Sequence, residues 1–189
     1  PVECRVIPVA QHKEGVLDRA YALLEELKKA GYRVKIDDSD KSPGWKFSEQ
    51  EMRGIPVRVE LGPKDIEAGK CVLVRRDTRE KTECAIEDVA QTVKELLETI
   101  QSEMFARAKA HRDAHIYDAH NYTEFTEIVN TKPGFIRGMW CGDQACEDKI
   151  KEDTTATSRC MPFEQHQLSD KCVCCGRPAK KMVYWGKAY

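Results

Sequence analysis

The stretch "ECRVIPVAQHKEGVLDRAYALLEELKKAGYRVKIDD", Glu3 to Asp38, decides the fold of the first half of the chain. Its opening, Glu3 to Ala10, is a short apolar run of the kind that forms a buried strand. Val16, Ala20, Leu23, Leu24 and Leu27 then recur at helical spacing, which gives a helix one apolar face. Gly31 stands where a C-terminal cap belongs, and Lys28 and Lys29 in the last turn suit the negative end of the helix dipole. "YRVKIDD", Tyr32 to Asp38, alternates and starts directly after that glycine. Strand, helix and strand in this order predict a parallel pair joined by a crossover helix.

Reading onward, "SDKSPGW" breaks the pattern with Pro43 and Gly44. A short polar helix over Phe47 to Arg53 leads through Gly54 and Pro56 into the strand Val57 to Leu61. Gly62-Pro63 turns the chain, and Lys70 to Asp77 is the next strand, with an apolar run from Cys71 to Val74. A long helix is predicted over Ile86 to His111, its apolar face formed by Ile86, Val89, Val93, Leu96, Leu97, Ile100 and Met104. Between about Ala114 and Asn121 the character changes and the elements shorten. This places an α/β domain at 1–115 and a smaller α+β domain at 116–189. A domain under about 80 residues needs a staple beyond its own apolar core.

A hydrophobic fraction of 41% with 33% charged residues is an ordinary soluble composition. No apolar run approaches the roughly 18 residues of a membrane helix, and "PVECRVIPVAQ" is too short and interrupted for a signal peptide. The reading is a cytoplasmic chain with no membrane partner. A net charge of -1 does not advertise nucleic-acid binding, but grouping matters more than the total. Between Lys46 and Lys81 basic residues outnumber acidic ones. No phosphate-binding or dinucleotide-type glycine loop is present.

Six of the nine cysteines lie after Met139. An odd number argues against a fully paired disulfide framework. Cys141 and Cys146 form a C-x4-C pair, and Cys172 and Cys175 form a C-x2-C pair followed by Gly176. Two close pairs separated by a couple of dozen residues match a tetrahedral four-cysteine Zn2+ site, each pair closing a small chelate ring. Glycine after the second cysteine lets the backbone turn and its amides approach the sulfurs. Cys174 is then the spare; pairing Cys172 with Cys174 instead strains the knuckle. A redox C-x-x-C needs a helix N-terminus, which Gly176-Arg177-Pro178 opposes. Four thiolates fill the coordination shell, so the metal is a scaffold and not a catalyst. Cys4, Cys71, Cys84 and Cys160 read as core or surface singletons. His111 and His115 stand i, i+4 on a helix with no third ligand in view.

Taken together, "PGWKFSEQEMRGIPVRVELGPKD", "LVRRDTREK", "CGDQACE", "TTATSRCMPFE", "CVCCGRPA" and the terminal "GKAY" resemble the C-terminal half of a prolyl-tRNA synthetase. The similar subgroup has an anticodon-binding domain followed by a zinc-binding C-terminal domain that ends in tyrosine. The resemblance runs over essentially the whole chain, in order. It implies a mixed-sheet class II synthetase anticodon-binding domain, with a tRNA-Pro anticodon stem-loop as partner. Nothing in the chain resembles the family's catalytic domain, which binds proline, ATP and the tRNA acceptor end and mediates a homodimer. The expectation is therefore a chain, monomeric by itself, that binds RNA without ligating it and partners an upstream catalytic domain. Two other readings stay open: a free-standing RNA-binding or regulatory protein derived from this region, and a zinc scaffold for protein contacts.

Proline anticodons carry two adjacent guanines. An unpaired guanine needs an acceptor for its N1–H and N2–H2 edge and donors for O6 and N7. By resemblance, Glu51, Arg58, Lys64, Asp65 and Lys81 match guanine-reading positions: a carboxylate accepts two bonds, and an arginine fork fits two acceptors. Lys46, Arg53, Arg75, Arg76 and Arg79 are placed on phosphates, with Trp45 or Phe47 stacking. The resemblance also implies that Tyr189 and its carboxylate approach the catalytic domain, held there by the zinc domain.

Overall fold

The computed structural model describes residues 1–187; the expected docking of Tyr189 lies outside the described residues. The chain divides into two compact units, Pro1–Phe105 and the part from Ala106 onward.

In the first unit, strand β1 (Cys4–Pro8) is followed by helix α1 (Val16–Lys29) and strand β2 (Val34–Ile36). β1 and β2 pair in parallel, Cys4 opposite Val34, as the opening stretch predicts. α1 ends with the Gly31 N–H on the Lys28 carbonyl and the Tyr32 N–H on the Leu27 carbonyl, a paired closure that satisfies the last orphan carbonyls. Helix α2 (Pro43–Met52) begins where Ser42 accepts the Trp45 N–H, with Pro43 in the first turn, where no amide is needed. Strand β3 (Val57–Leu61), short helix α3 (Pro63–Glu67), strand β4 (Lys70–Arg75), strand β5 (Lys81–Ala85) and helix α4 (Val89–Ala114) follow.

The sheet order is β2-β1-β3-β4-β5. β1 pairs in parallel with β2 and β3, and β4 is antiparallel to both β3 and β5. Because strand side chains alternate, one face carries Cys4, Val6, Val57, Val59, Leu61, Cys71 and Leu73. It packs in one cluster with Ala20, Leu23, Leu24 and Leu27 of α1 and with Val89, Val93 and Ile100 of α4. Each fully buried leucine there contributes about 1.5–3 kcal/mol. The opposite face carries charge: Arg5 lies level with Arg58, and Glu60 follows two residues along β3.

Several elements depart from the sequence reading: α2 starts at Pro43, inside the stretch read as a break, and α3 forms at Pro63–Glu67, where only a turn was expected. A strand at 81–85 was not expected; "KTECA" alternates weakly and pairs along one side only, at the edge of the sheet. A single 3-10 turn over Ile86–Asp88 precedes α4, and burial along α4 stops at Ile100, leaving Met104 exposed. Cys71 and Cys84 are not singletons but face one another across β4 and β5.

The second unit holds strand β6 (Ile116–Ala119), helix α5 (Tyr122–Thr131), strand β7 (Phe135–Trp140), helix α6 (Gln144–Thr154), strand β8 (Ala156–Cys160) and strand β9 (Lys181–Lys187). Their order in the sheet is β6-β7-β9-β8. A first cluster gathers Phe125, Ile128, Ile136, Ile150, Val173, Val183 and Trp185, with the Phe125 and Trp185 rings edge to face at 6.0 Å. A second, smaller cluster consists of Met139, Cys146, Cys172, Ala179 and Met182, so cysteines stand at its centre. No helix among the described residues is long and apolar enough to cross a membrane.

Candidate nucleic-acid interface and metal centre

On the charged face of the first sheet, Arg58 is the centre of a cluster. Its side chain is 8% exposed. Nε donates to Glu60 Oε1 at 2.7 Å and Nη1 to Glu51 Oε1 at 2.9 Å. The Phe47 ring lies under the guanidinium, 4.4 Å from its central carbon. Around this core sits a basic rim. Lys81 Nζ lies 3.9 Å from Glu60, Arg79 Nη2 lies 3.5 Å from the second oxygen of Glu51, and Arg76 Nε donates to the Glu51 carbonyl at 2.7 Å. Strand β3 supplies Arg58 and Glu60, the end of α2 supplies Glu51, the β4–β5 turn supplies Arg76 and Arg79, and the start of β5 supplies Lys81. The cluster thus holds acceptors and donors side by side.

Lys64 is exposed on α3, while Asp65 turns back to accept the Gly62 N–H at 2.8 Å. Arg53 is exposed and paired with Glu49. Lys46 and Arg75 are not presented to a ligand. Lys46 is 1% exposed, its Nζ spent on Gln11 Oε1 at 2.7 Å and the Asp37 carbonyl at 3.0 Å, and burial lowers its pKa. Arg75 is buried with Nε and Nη2 on Asp77, and Nη2 also reaches Glu103, which hold its pKa well above the usual value. Phe47 is committed to Arg58, whereas Trp45 is 46% exposed, with Lys41 Nζ over its ring at 5.8 Å. Glu60 and Arg5 were missed by sequence reasoning. The spacing of Arg58 and Glu60 within one strand is the signal that finds Glu60.

In the second unit, Cys141 directly follows β7 and Cys146 lies in the first turn of α6, which starts where Asp143 accepts the Ala145 N–H at 3.0 Å. Cys172 and Cys175 occupy a knuckle closed by pairing of Lys171 with Pro178. Within it the Cys172 N–H donates to the Arg177 carbonyl at 2.7 Å and the Gly176 N–H to the Cys172 carbonyl at 2.9 Å. Gly176 has φ 72°, a backbone state that side-chain-bearing residues rarely adopt. The knuckle is docked by the Val173 N–H on the Met139 carbonyl at 2.8 Å. Gly138 makes room for it: a Cβ there would stand 3.2 Å from Val173.

The four sulfurs of Cys141, Cys146, Cys172 and Cys175 lie within 4.8 Å of one another. Cys141 is 3.7 Å from Cys146 and 3.8 Å from Cys175. A tetrahedral ion about 2.3 Å from each sulfur sets ligand pairs about 3.8 Å apart, so the donor set fits such an ion. Cys174 is outside the group and packs against both apolar clusters. Arg177 donates to Cys175 Sγ at 3.3 Å, pairs with Asp143, and lowers the Cys175 thiol to about 6; burial raises Cys146 and Cys172. Among the described residues this is the single metal-spaced group. The His111 and His115 rings instead stack at 4.3 Å, and His115 Nδ1 lies 2.7 Å from the His111 carbonyl.

Comparison with known proteins matches both units. Residues 3–96 fit the family model for the anticodon binding domain, and residues 122–189 fit that for the prolyl-tRNA synthetase C-terminal domain. The chain belongs to the prolyl-tRNA synthetase family. Over its whole length it is 67% identical to a proline–tRNA ligase of Lachnospira eligens, 61% to one of Lachnoclostridium phytofermentans and 57% to one of Clostridium novyi. It spans 39–40% of the length of these relatives. Within the family's frame, the Arg58 cluster lies in the anticodon-binding domain and the four cysteines lie in the C-terminal domain.

Proposed function

We propose an anticodon-binding domain at residues 1–115, which takes in the first unit and reads the anticodon of tRNA-Pro, and a C-terminal domain at 116–189. Glu51 accepts from the Watson–Crick edge of a guanine, and Arg58, its Nε and Nη1 held by Glu60 and Glu51, donates from Nη2 to guanine O6 and N7. Lys81, with Lys64 and Asp65 on α3, completes the reading set, while Arg53, Arg76 and Arg79 meet phosphates. The observation that carries this reading is the Arg58–Glu51–Glu60 cluster with its basic rim, in a domain of the anticodon-binding family. Its charges are positioned before RNA arrives, so little ordering cost falls on binding.

The C-terminal domain, residues 116–189, holds a structural Zn2+ on Cys141, Cys146, Cys172 and Cys175. Such an ion supplies folding free energy to a small domain. Arg177 offsets part of the excess negative charge of four thiolates around a divalent ion. The whole enzyme attaches proline to tRNA using ATP in the cytoplasm, as a homodimer, with this chain joined to an upstream catalytic domain.

The test is equilibrium binding of the chain to a proline anticodon stem-loop and to a stem-loop lacking the guanine pair. The expected result is preference for the first by a factor of ten or more, roughly 1.4 kcal/mol. Equal affinity for both would reduce the first unit to a non-specific RNA surface.

A further inference from the structure

We propose that Cys71 and Cys84 form an oxidation site that closes to a disulfide across β4 and β5 when a peroxide reaches the edge of the first sheet. The two residues are direct register partners, and their sulfurs lie 3.5 Å apart. The Ile86 N–H on the Gly69 carbonyl and the Arg75 N–H on the Glu80 carbonyl bracket the hairpin. Counting between them puts Cys71 and Cys84 at a hydrogen-bonded position. Cα atoms at such positions stand about 5.5 Å apart, inside the roughly 4.4–6.8 Å that disulfides span. Forming the bond needs an approach of about 1.5 Å between the sulfurs. β5 can supply it, because it is an edge strand with no neighbour on its other side.

The two thiols are unequal in access. Cys71 is fully buried against the apolar cluster, whereas Cys84 is half-buried on the edge strand. Cys84 is therefore the attacking thiol. Its thiolate displaces hydroxide from hydrogen peroxide and becomes a sulfenic acid. The Cys71 sulfur then attacks Cys84 Sγ, and the sulfenic hydroxyl leaves with the Cys71 proton as water. In sum, two thiols and one peroxide give one disulfide and two waters. Burial keeps Cys71 protonated, so the second step depends on contact and not on a free thiolate. The strand that closes begins with Lys81, and the turn before it carries Arg76 and Arg79. The redox state of the pair thus bears on the rim of the proposed RNA face without resting on that reading.

The experiment treats the zinc-loaded chain with hydrogen peroxide, blocks remaining thiols with an alkylating agent, and maps the cysteines by peptide mass spectrometry. The expected product is a linked peptide pair containing Cys71 and Cys84, about 2 Da lighter than the two reduced peptides and restored by dithiothreitol. Cys84→Ser abolishes it, and peroxide added in denaturant loses the selectivity for this pair. The proposal is overturned if both cysteines are still alkylated after the exposed Cys160 has been oxidised. It is equally overturned if Cys84 accumulates as sulfinic acid while Cys71 stays free.

Discussion

Enclosing a guanidinium is costly unless its donors are satisfied, and Arg58 shows how the sequence meets that demand. Glu60 lies two residues along the same strand and Glu51 on the helix before it, while Phe47 covers the flat face. The fork is thereby held in one orientation. Arg58→Lys keeps the charge but loses the fork, so it should lose most of the preference for the guanine-containing stem-loop while the chain stays folded by circular dichroism. Arg79, exposed at the rim, belongs to a different class. Arg79→Ala should weaken both stem-loops alike and reduce the salt dependence of binding by about one counterion, read from titrations at several salt concentrations. The motifs around Glu51 and Arg58 single the two residues out in the sequence, and the structure brings their side chains into contact. The burial of Lys46 and Arg75 was not, because a charged letter carries no sign of the partners that will enclose it. Of the groups that hold Lys46, Gln11 stands 35 residues away and the Asp37 carbonyl nine.

Elements with a strong local pattern were read correctly from sequence: the β1–α1–β2 unit follows directly from apolar spacing and Gly31. β5 was hidden because an edge strand of mostly polar residues has little alternation to show, and its partner β4 defines it. The cysteine knuckle was legible for the opposite reason, since chelate spacing is local. It also yields a sharp prediction. Cys172→Ser should abolish bound zinc, measured by native mass spectrometry, whereas Cys174→Ser should retain it in full, because Cys174 lies outside the four-sulfur group. Loss of zinc from both variants would mean that the ligand set is wrong. Docking of the knuckle on β7 adds a second handle. Gly138→Val would intrude on Val173 and should destabilise the second unit by about 1–3 kcal/mol in denaturant titrations.

At the scale of the whole molecule, the two units depend on different physics. The first has a continuous apolar cluster between its sheet and two helices, and the metal-spaced group among the described residues lies outside it. The second distributes its core between two small clusters, one of them built on cysteines. A strong chelator should therefore lower the melting temperature of the second unit and leave that of the first unchanged, giving two calorimetric transitions where the metal-loaded chain has them closer together. Binding of the anticodon stem-loop should survive chelation, because every proposed reading residue lies in the first unit.

On the proposed function, the first unit reads bases and does not merely attract RNA. The most direct test compares wild type with Arg58→Ala on two stem-loops, the proline anticodon and the same loop with both guanines replaced. The substitution should cost about 1–3 kcal/mol on the guanine loop and far less on the other. Equal losses on both loops would contradict base reading and leave Arg58 as structural charge alone.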